Sequence, residues 1–488
     1  MLFNSYYFIL IFLPLAAAGY FLLAKYRPPV WSRTFLLLAS LFFVSYWNIY
    51  FAVALMASAI FNYFCGTALS ITAERHPAGK KPLFIFAIAA NILFLGFFKY
   101  TNFFLDSINT VLSTSIGSLS IMLPLGISYY TFMQIAWLTD IYRRGGCRYD
   151  FLSYCLYVTF FPYVVSGPIA YHSEIIPQFQ TATAGKFNLA HVSAGLFMFA
   201  IGLFKKTAIA DTLAVISDGG HAASVLTFTE AWLTSLSYTM QLYFDFSGYT
   251  DMAIGAALIF NIWLPINFDS PYKALSIKEF WQRWHMTLSR FLLNYVYVPM
   301  GGNRKGEART LFNIMVLFLI CGLWHGSAWN YVLWGFVTGL ASIVYRLWAK
   351  TGRRLPKPLA WFLYFNFFNF STVFFRAETV QDAFKVLKGM AGLNGIIVSP
   401  NLAANPFWQS LTVIGVRFGE WRANLPQTET PVYFFCLLLI PFILLAKNSN
   451  QLLAKFSPNW KTALATSLLL IAGLLLLNES SSFLYFNF

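Results

Sequence analysis

The sequence predicts an all-α polytopic integral membrane protein. Of its 488 residues, 58% are hydrophobic and only 10% are charged, and the mean hydropathy is +0.61. Soluble domains contain about 25% charged residues, and disordered chains are poor in apolar residues, so neither class fits. A chain with so few polar groups is stable where its surface contacts lipid. Aromatic residues reach 19%, which is typical of interfacial belts and of bulky packing between membrane helices.

Uncharged stretches that can cross a bilayer recur along the whole chain. A spanning helix needs about 20 apolar residues. The stretches are 1–24, 34–73, 82–98, 107–139, 151–173, 187–204, 310–345, 359–375, 430–446 and 462–478. Because 34–73 is long enough for two short spans, the pattern predicts roughly eleven to thirteen membrane helices in a single membrane domain over 1–488, with its central motifs in 120–345.

The net charge of +15 has a topological explanation. Basic residues lie in short clusters between apolar stretches, as the positive-inside rule predicts, so no nucleic-acid partner is expected. The clusters are Lys25–Arg27, Arg75–Lys81, Arg143–Arg148, Lys205–Lys206, Arg283–Arg309 and Arg346–Lys357. Attraction of an anionic substrate to the middle clusters is a second account, compatible with the first. Because no charge precedes Lys25 and no cleavage site follows, we expect a first span with an external N-terminus rather than a cleaved signal peptide.

The cysteines and the absent motifs exclude several classes. Five cysteines without paired spacing, Cys147 among them, indicate neither a disulfide framework nor a Cys-rich metal site, so no metal is expected. Cys321 lies one helical turn before His325, where a Cys–His pair can form a thioester, although a buried cysteine is more often an inert small hydrophobe. Motifs of ATPases, serine hydrolases, zincins and dehydrogenases are absent from the sequence.

Residues 269–309 are too polar to span a membrane but contain an apolar stripe beside a basic face. The spacing predicts one amphipathic helix that lies at the interface or dips into it as a re-entrant segment, and an ordinary connector helix is the alternative. Ser276 and Glu279 predict a capping box at its start. The stripe comprises Phe280, Trp281, Trp284, Leu288, Phe291 and Leu292.

Two histidines are the candidate chemical groups. His325 lies within the uncharged stretch 310–345, and an ionisable side chain at such depth is a functional-site hypothesis by default. Histidine has the proton affinity that a general base needs. Gly322 and Gly326 flank it, either for close helix packing or to let a substrate approach the imidazole. His285 lies on the amphipathic segment, and its role depends on whether that segment contacts His325.

Three carboxylates, Glu230, Asp245 and Asp251, interrupt the apolar region 229–268, and the two aspartates are candidate functional groups. Carboxylates in such regions pair with a base or line a water-filled cavity. They either orient a histidine or an arginine, or conduct protons or ions.

The chain resembles the membrane-bound O-acyltransferase (MBOAT) superfamily, in particular its bacterial branch of alginate and peptidoglycan O-acetyltransferases. Each motif alone is weak, but their order and spacing through nearly the whole chain are specific. The motifs are MLFNS at 1–5, PLGISYYTF at 124–132, FFP at 160–162, SGPI at 166–169, GLFKK at 202–206, YFDFSGYTD at 243–251, FWQRWHMTLSR at 280–290, GGNR at 301–304, WHG at 324–326, VFFRA at 373–377 and FLYFNF at 483–488.

The resemblance implies membrane helices ringed around a tunnel, with His325 and His285 as catalytic residues facing it from opposite sides. Residues expected to support catalysis or line the tunnel are Trp324, Gly326, Asn330, Asp245, Asp251, Arg283, Arg290 and Arg304. The resemblance also implies acetyl-CoA as the acyl donor substrate, with no bound cofactor.

The same resemblance places the chain in a bacterial inner membrane with a periplasmic N-terminus. A periplasmic esterase-like partner is expected to complete transfer to an exported polysaccharide, either an alginate-type exopolysaccharide, the first choice, or peptidoglycan. Two alternatives stay open. They are D-alanyl transfer to teichoic acid from a carrier protein, and a transporter that uses Asp245, Asp251 and His325 as a relay.

Overall fold

The computed structural model describes residues 1–75, 77–145, 149–181, 185–426, 428–477 and 483–484. Parts of two predicted basic clusters, at 76 and 146–148, lie outside the described residues, as do Cys147 and positions 485–488 of the C-terminal motif.

Almost all of the regular secondary structure in the described chain is helical. Its α-helices are α1 (Leu13–Tyr26), α2 (Pro29–Ser45), α3 (Ile49–Arg75), α4 (Pro77–Leu112), α5 (Ile127–Arg144), α6 (Phe151–Thr159), α7 (His172–Gln180), α8 (Leu189–Phe204), α9 (Asp211–Ala222), α10 (Phe228–Ile259), α11 (Ile277–Trp281), α12 (Met286–Leu292), α13 (Glu307–His325), α14 (Trp329–Lys350), α15 (Lys357–Arg376), α16 (Val380–Met390), α17 (Pro406–Ser410), α18 (Thr430–Leu445), α19 (Ser449–Leu453) and α20 (Trp460–Leu475). Single π-helical turns lie at Tyr7–Phe12, Lys205–Ala210 and Leu293–Tyr297, and 3₁₀ turns at Pro271–Lys273, Pro400–Leu402 and Leu411–Ile414. Two short strands, β1 (Ile396–Val398) and β2 (Val416–Phe418), pair in parallel.

Within the described residues, six helical segments are long and apolar enough to cross a membrane, and they are Tyr7–Tyr26, Ile49–Glu74, Ala78–Leu112, Leu189–Ala222, Glu307–His325 and Trp329–Lys350. The apolar helices α2, α18 and α20 are shorter. This architecture confirms the predicted all-α polytopic class, and the chain is a multi-pass membrane protein. The number of eleven to thirteen spans stays a prediction, because α5, α10 and α15 have the length of a span but a more polar composition.

Helix α10 forms the centre of the bundle, and almost all of its side chains are buried. Its closest neighbour is α8, and glycines let the two backbones approach. A Cβ at Gly202 would lie 2.5 Å from the carbonyl oxygen of Gly248, and one at Gly195 would lie 2.7 Å from that of Gly255. Small residues at membrane helix interfaces permit such packing. The sheet-free core around α10 therefore depends on these glycines.

The two ends of the bundle differ in charge. The short turns at one end, the uncharged side, contain no lysine or arginine and are 46–48, 113–126 and 326–328. The turns at the other end, the basic side, include 25–33 with three such residues and 346–357 with five. Trp329 donates from its indole nitrogen to Ser107 at 3.2 Å, which places the tip of the α13–α14 hairpin beside the far end of α4.

The segment 260–306 enters the bundle from the basic side and returns to it. The prediction of one continuous amphipathic helix over 269–309 is wrong, because the backbone breaks at His285 into two short helices, α11 and α12. The predicted N-cap is confirmed. The Ser276 hydroxyl accepts from the backbone of Glu279 at 3.2 Å, while the Glu279 carboxylate turns to the backbone of Leu275 instead of closing the box on Ser276. Side chains of both α11 and α12 are buried inside the bundle. The segment is therefore re-entrant.

Candidate functional site

His285 lies at the break between α11 and α12. Its φ of 43° falls in the left-handed region, which a residue with a Cβ rarely adopts. Asn267 holds this conformation. Its Oδ1 accepts from the backbone N–H and the hydroxyl of Thr287 at 3.2 and 2.8 Å, and its backbone carbonyl accepts from Met286 at 3.0 Å. The break therefore presents His285 as a fixed side chain inside the bundle.

The contacts of Asn267 also determine the tautomer of His285. The Nδ1 atom of His285 lies 3.1 Å from Oδ1 of Asn267. Because that oxygen already accepts from a backbone N–H, Nδ1 is the donor. The ring is fully buried, and burial disfavours the charged imidazolium. In a neutral imidazole that donates from Nδ1, Nε2 is the basic atom.

His325 is the last residue of α13, and it faces His285 across the interior. The two ring centroids lie 6.4 Å apart. Trp324 packs edge-on against both rings, at 5.7 Å from His285 and 4.9 Å from His325. Trp334 and Phe375 contact His325 at 5.3 and 5.0 Å. The structure thus brings the two predicted catalytic residues together within one aromatic enclosure.

Lys99 of α4 is a site residue that the sequence analysis missed. Its ammonium is buried and donates to the carbonyl oxygen of Trp324 at 2.5 Å and to the Ser128 hydroxyl at 3.3 Å. The neighbouring Tyr100 hydroxyl donates to the carbonyl oxygen of Leu323 at 2.7 Å. The last carbonyls of a helix have no partner within it, and a cation is favourable at that end. Both side chains therefore fix the turn that carries His325.

The signal for Lys99 was present in the sequence. A single cation follows the apolar stretch 82–98, which predicts that a span ends there, whereas α4 continues to Leu112. Among the described residues, no carboxylate lies within ion-pair distance of Lys99. A lysine at such depth is costly, which indicates a function.

Three buried polar atoms around His325 have no hydrogen-bond partner in the part of the chain that the structure describes. They are the indole nitrogens of Trp324 and Trp334 and Oδ1 of Asn330. Leaving such a group unsatisfied costs about 1–3 kcal/mol. The amide nitrogen of Asn330 is used for packing, since it donates to the carbonyl oxygens of Phe374 and Ala377 at 3.2 and 2.5 Å. The indole N–H groups are suited to donate to a bound substrate.

Gly326 serves helix packing. A Cβ at this position would lie 2.1 Å from the ring of Tyr331, and a Cβ at Gly322 would lie 2.3 Å from the carbonyl oxygen of the same residue. Both glycines let α14 fold back tightly on α13. Of the two accounts left open by the sequence, the structure supports close packing rather than substrate approach for Gly326.

Asp245 and Asp251 have lysines as ion-pair partners. Asp245 lies 2.7 Å from the ammonium of Lys206, and Asp251 lies 2.6 Å from that of Lys205. Asp245 also accepts from the backbone N–H of Leu484 at 3.0 Å. The prediction that these carboxylates orient a histidine or an arginine is therefore wrong. They tie α10 to the end of α8, and Asp245 also ties it to the C-terminal segment.

The three arginines of the re-entrant segment are not at the histidines. Arg283 pairs with Glu279 at 3.0 Å, and Arg290 makes two hydrogen bonds to Glu174 at 2.5 and 2.9 Å. Arg304 is exposed on the basic side. The first two therefore stabilise the segment, and the structure gives neither a place in the enclosure around His325.

A groove of about 540 Å³ separates the re-entrant segment from the α13–α14 hairpin. Its inner end includes Trp281 and Cys321. Cys321 lies one helical turn before His325, and the Trp281 ring lies 6.1 Å from that of Trp334. The groove therefore leads from the basic side to the wall of the histidine enclosure.

Three cations line the outer part of the groove, namely Lys278, Arg346 and Lys350. Glu307 accepts from Arg346 at 2.9 Å and from Lys350 at 2.6 Å, so the net charge there is positive. An anionic group at this end and an apolar or thioester group further in would match the lining.

Sequence comparisons are consistent with this geometry. The profile of the MBOAT family, membrane-bound O-acyltransferase family, matches residues 127–375, which contain both histidines. A peptidoglycan O-acetyltransferase of Helicobacter pylori is 42% identical over 100% of this chain and 98% of that protein. A probable alginate O-acetylase AlgI of Pseudomonas aeruginosa is 34% identical over 94% of this chain and 84% of that protein. A teichoic acid D-alanyltransferase of Bacillus subtilis is 28% identical over 47% of this chain and 60% of that protein.

Proposed function

Because the chain belongs to the membrane-bound O-acyltransferase family and is therefore an acyltransferase, we propose that it transfers acetyl groups from cytoplasmic acetyl-CoA for O-acetylation of an exported polysaccharide. Peptidoglycan is the preferred acceptor, since the relative with that activity matches the full chain at 42% identity. An alginate-type exopolysaccharide is the second candidate, supported by the relative at 34% identity. The observation that carries the proposal is the pair of buried histidine rings 6.4 Å apart.

The reaction begins with His325 as the general base. It takes the proton of an acceptor hydroxyl, whose oxygen attacks the carbonyl carbon of the thioester. The new C–O bond forms as the C–S bond breaks, and the proton passes from His325 to the leaving thiolate. General base catalysis contributes about 10²–10⁴-fold. His285, through its basic Nε2, orients the acceptor hydroxyl for this transfer.

The developing oxyanion needs hydrogen-bond donors. The indole N–H groups of Trp324 and Trp334 are buried beside His325 without another partner among the described residues. Donors that are fixed in place before the reaction act strongly in an enclosure without water. We assign donation to the oxyanion to these two indole N–H groups. Lys99 fixes the turn that carries His325 by donating to the carbonyl oxygen of Trp324.

The groove supplies the path of the donor. Its basic outer end suits the phosphates of acetyl-CoA, and its inner end leads toward His325. Positive turns face the cytoplasm in membrane proteins, so the groove opens to the cytoplasm of a bacterial inner membrane. The first span then has its N-terminus in the periplasm, because Lys25 and Arg27 follow it on the basic side.

The acceptor approaches from the uncharged side, where the tip of the α13–α14 hairpin lies. The connection of residues 391–426 on this chain contains only two three-residue strands and short helical turns, which is small for a polysaccharide-binding surface. A periplasmic esterase-like partner that completes the transfer is therefore part of the proposal. The alternative function, a transporter that uses these aspartates as a relay, loses support. Asp245 pairs with Lys206, and Asp251 pairs with Lys205.

The experiment uses the purified full chain in lipid nanodiscs with acetyl-CoA labelled in its acetyl group. Release of CoA and labelled acetyl transfer are measured with a soluble glycan, whose hydroxyl groups take the place of the acceptor hydroxyl that the partner presents. Ser289→Trp narrows the groove and should raise KM for acetyl-CoA about tenfold or more with little change in kcat. Leu340→Trp, on an exposed face of α14, is the matched control. Consumption of a D-alanyl carrier protein in place of acetyl-CoA would overturn the assignment of the donor.

A further inference from the structure

A second large cavity lies apart from the groove, between α1, α2, the start of α8 and the loop 185–188 that precedes α8. Its volume is about 1160 Å³. One wall is apolar and includes Ala17, Ala18 and Phe21 of α1. The other end is polar and lies on the basic side of the bundle. Neither histidine lines this cavity, so the acyl-transfer reaction does not use it.

Local sequence explains the shape of the cavity. Helix α1 has small residues at 16–19, which leave a recess where larger side chains would fill the space. On the other side, a Cβ at Gly185 would lie 2.6 Å from that of Ala24, so the loop touches α1 closely. This contact brings Lys186 to the same end of the cavity as Lys25.

Three cations line the polar end, namely Lys25, Arg33 and Lys186. Asp150 is the one carboxylate in the described lining, and it lies 3.8 Å from Arg33. The net charge of the lining is therefore positive. Basic residues at a membrane surface attract anionic lipid by about 1 kcal/mol each. An apolar wall that continues from a cationic end matches a molecule with an anionic head and a hydrocarbon chain.

We propose that this cavity binds one anionic phospholipid of the leaflet on the basic side. Its phosphate lies among Lys25, Arg33 and Lys186, and an acyl chain follows the recess along Ala17 and Ala18. The site holds the end of α1 and the loop 185–188 together, and it is independent of the acyl-transfer site.

Native mass spectrometry of the purified full chain tests the proposal. Phosphatidylglycerol and phosphatidylcholine are added in equal amounts, and the bound lipid is counted. The chain should retain phosphatidylglycerol preferentially. Lys25→Gln with Lys186→Gln should lower its affinity by about fivefold for each cation removed. This double variant leaves the Arg33 bond to Ser153 intact, so the packing of α6 is preserved.

Matched variants separate the lipid site from general electrostatics. Arg353→Gln with Arg354→Gln removes the same charge from an exposed turn on the same side and should leave lipid retention unchanged. Ala17→Leu with Ala18→Leu fills the recess without a change of charge and should reduce retention as strongly as the double lysine variant. Equal retention of both lipids, or displacement of phosphatidylglycerol by excess inorganic phosphate alone, would overturn the proposal.

Discussion

Replacing Lys99 with methionine should lower the rate of acetyl transfer strongly and change the free energy of unfolding only slightly. The ammonium donates to the carbonyl oxygen of Trp324 at 2.5 Å, and this hydrogen bond contributes about 1.5–3 kcal/mol. Its position at the end of α13 adds about 0.3–2 kcal/mol. Against these gains, burial of an ion costs several kcal/mol. Methionine removes the gains and the cost together, so the free energy of unfolding should change by less than about 2 kcal/mol.

The rate of acetyl transfer should respond much more strongly. Without Lys99, the carbonyl oxygen of Trp324 loses its partner, and the turn that carries His325 is free to shift. A displacement of about 1 Å at a reacting group costs about 10²-fold in rate. We therefore expect Lys99→Met to lower kcat about 100-fold, with KM for acetyl-CoA unchanged within about threefold and the unfolding temperature in detergent close to that of wild type.

Lys273 provides the matched control, because it also donates to a backbone carbonyl at the end of a helix, that of Ala446 at 2.7 Å. Lys273→Met removes the same kind of bond away from His325 and should leave kcat within about threefold of wild type. Equal loss of activity in both variants, or a Lys99→Met protein with wild-type kcat, would refute the positioning role of Lys99.

Three further substitutions test other contacts. Asn267→Ala removes the oxygen that accepts the hydrogen bond from Nδ1 of His285. The activity lost in this variant should therefore not add to that lost in His285→Ala in a double-mutant cycle. Full additivity would contradict the tautomer argument. Gly326→Ala overpacks the ring of Tyr331 and should destabilise the protein by about 1–3 kcal/mol in thermal unfolding, whereas Gly96→Ala, with open space around its Cβ, should be neutral or stabilising. Trp334→Phe removes one indole N–H and should lower kcat about 10²-fold at constant KM, and an unchanged kcat would remove Trp334 from the oxyanion role.

Composition and apolar stretches were sufficient to predict the all-α membrane fold, because a lipid-exposed surface leaves a strong average signal along the chain. The break between α11 and α12 at His285 could not be predicted from the spacing of the apolar residues. Helical spacing of apolar residues continues through the break, while the side chain that enforces it, Asn267, lies on a different part of the segment. Periodicity detects which face is apolar and is insensitive to a single left-handed residue.

Motif order identified both histidines, but the roles of their neighbours needed three-dimensional contacts. The sequence predicts that Asp245 and Asp251 orient a histidine or an arginine, or conduct protons or ions. Their partners in the structure are two lysines adjacent in sequence, Lys206 and Lys205. Ion pairs between different helices leave no local spacing in the sequence. Lys99 was missed for the same reason, since its partner is a backbone carbonyl on α13.

The central claim is that His325 is the base of an O-acetyl transfer to an exported polymer. The most direct measurement is the O-acetyl content of peptidoglycan and of exopolysaccharide, determined separately in cells with wild-type chain or His325→Ala at matched membrane levels. The account predicts loss of O-acetyl groups from peptidoglycan in the variant, with its unfolding temperature preserved. Full acetylation of both polymers by a folded His325→Ala protein would contradict it.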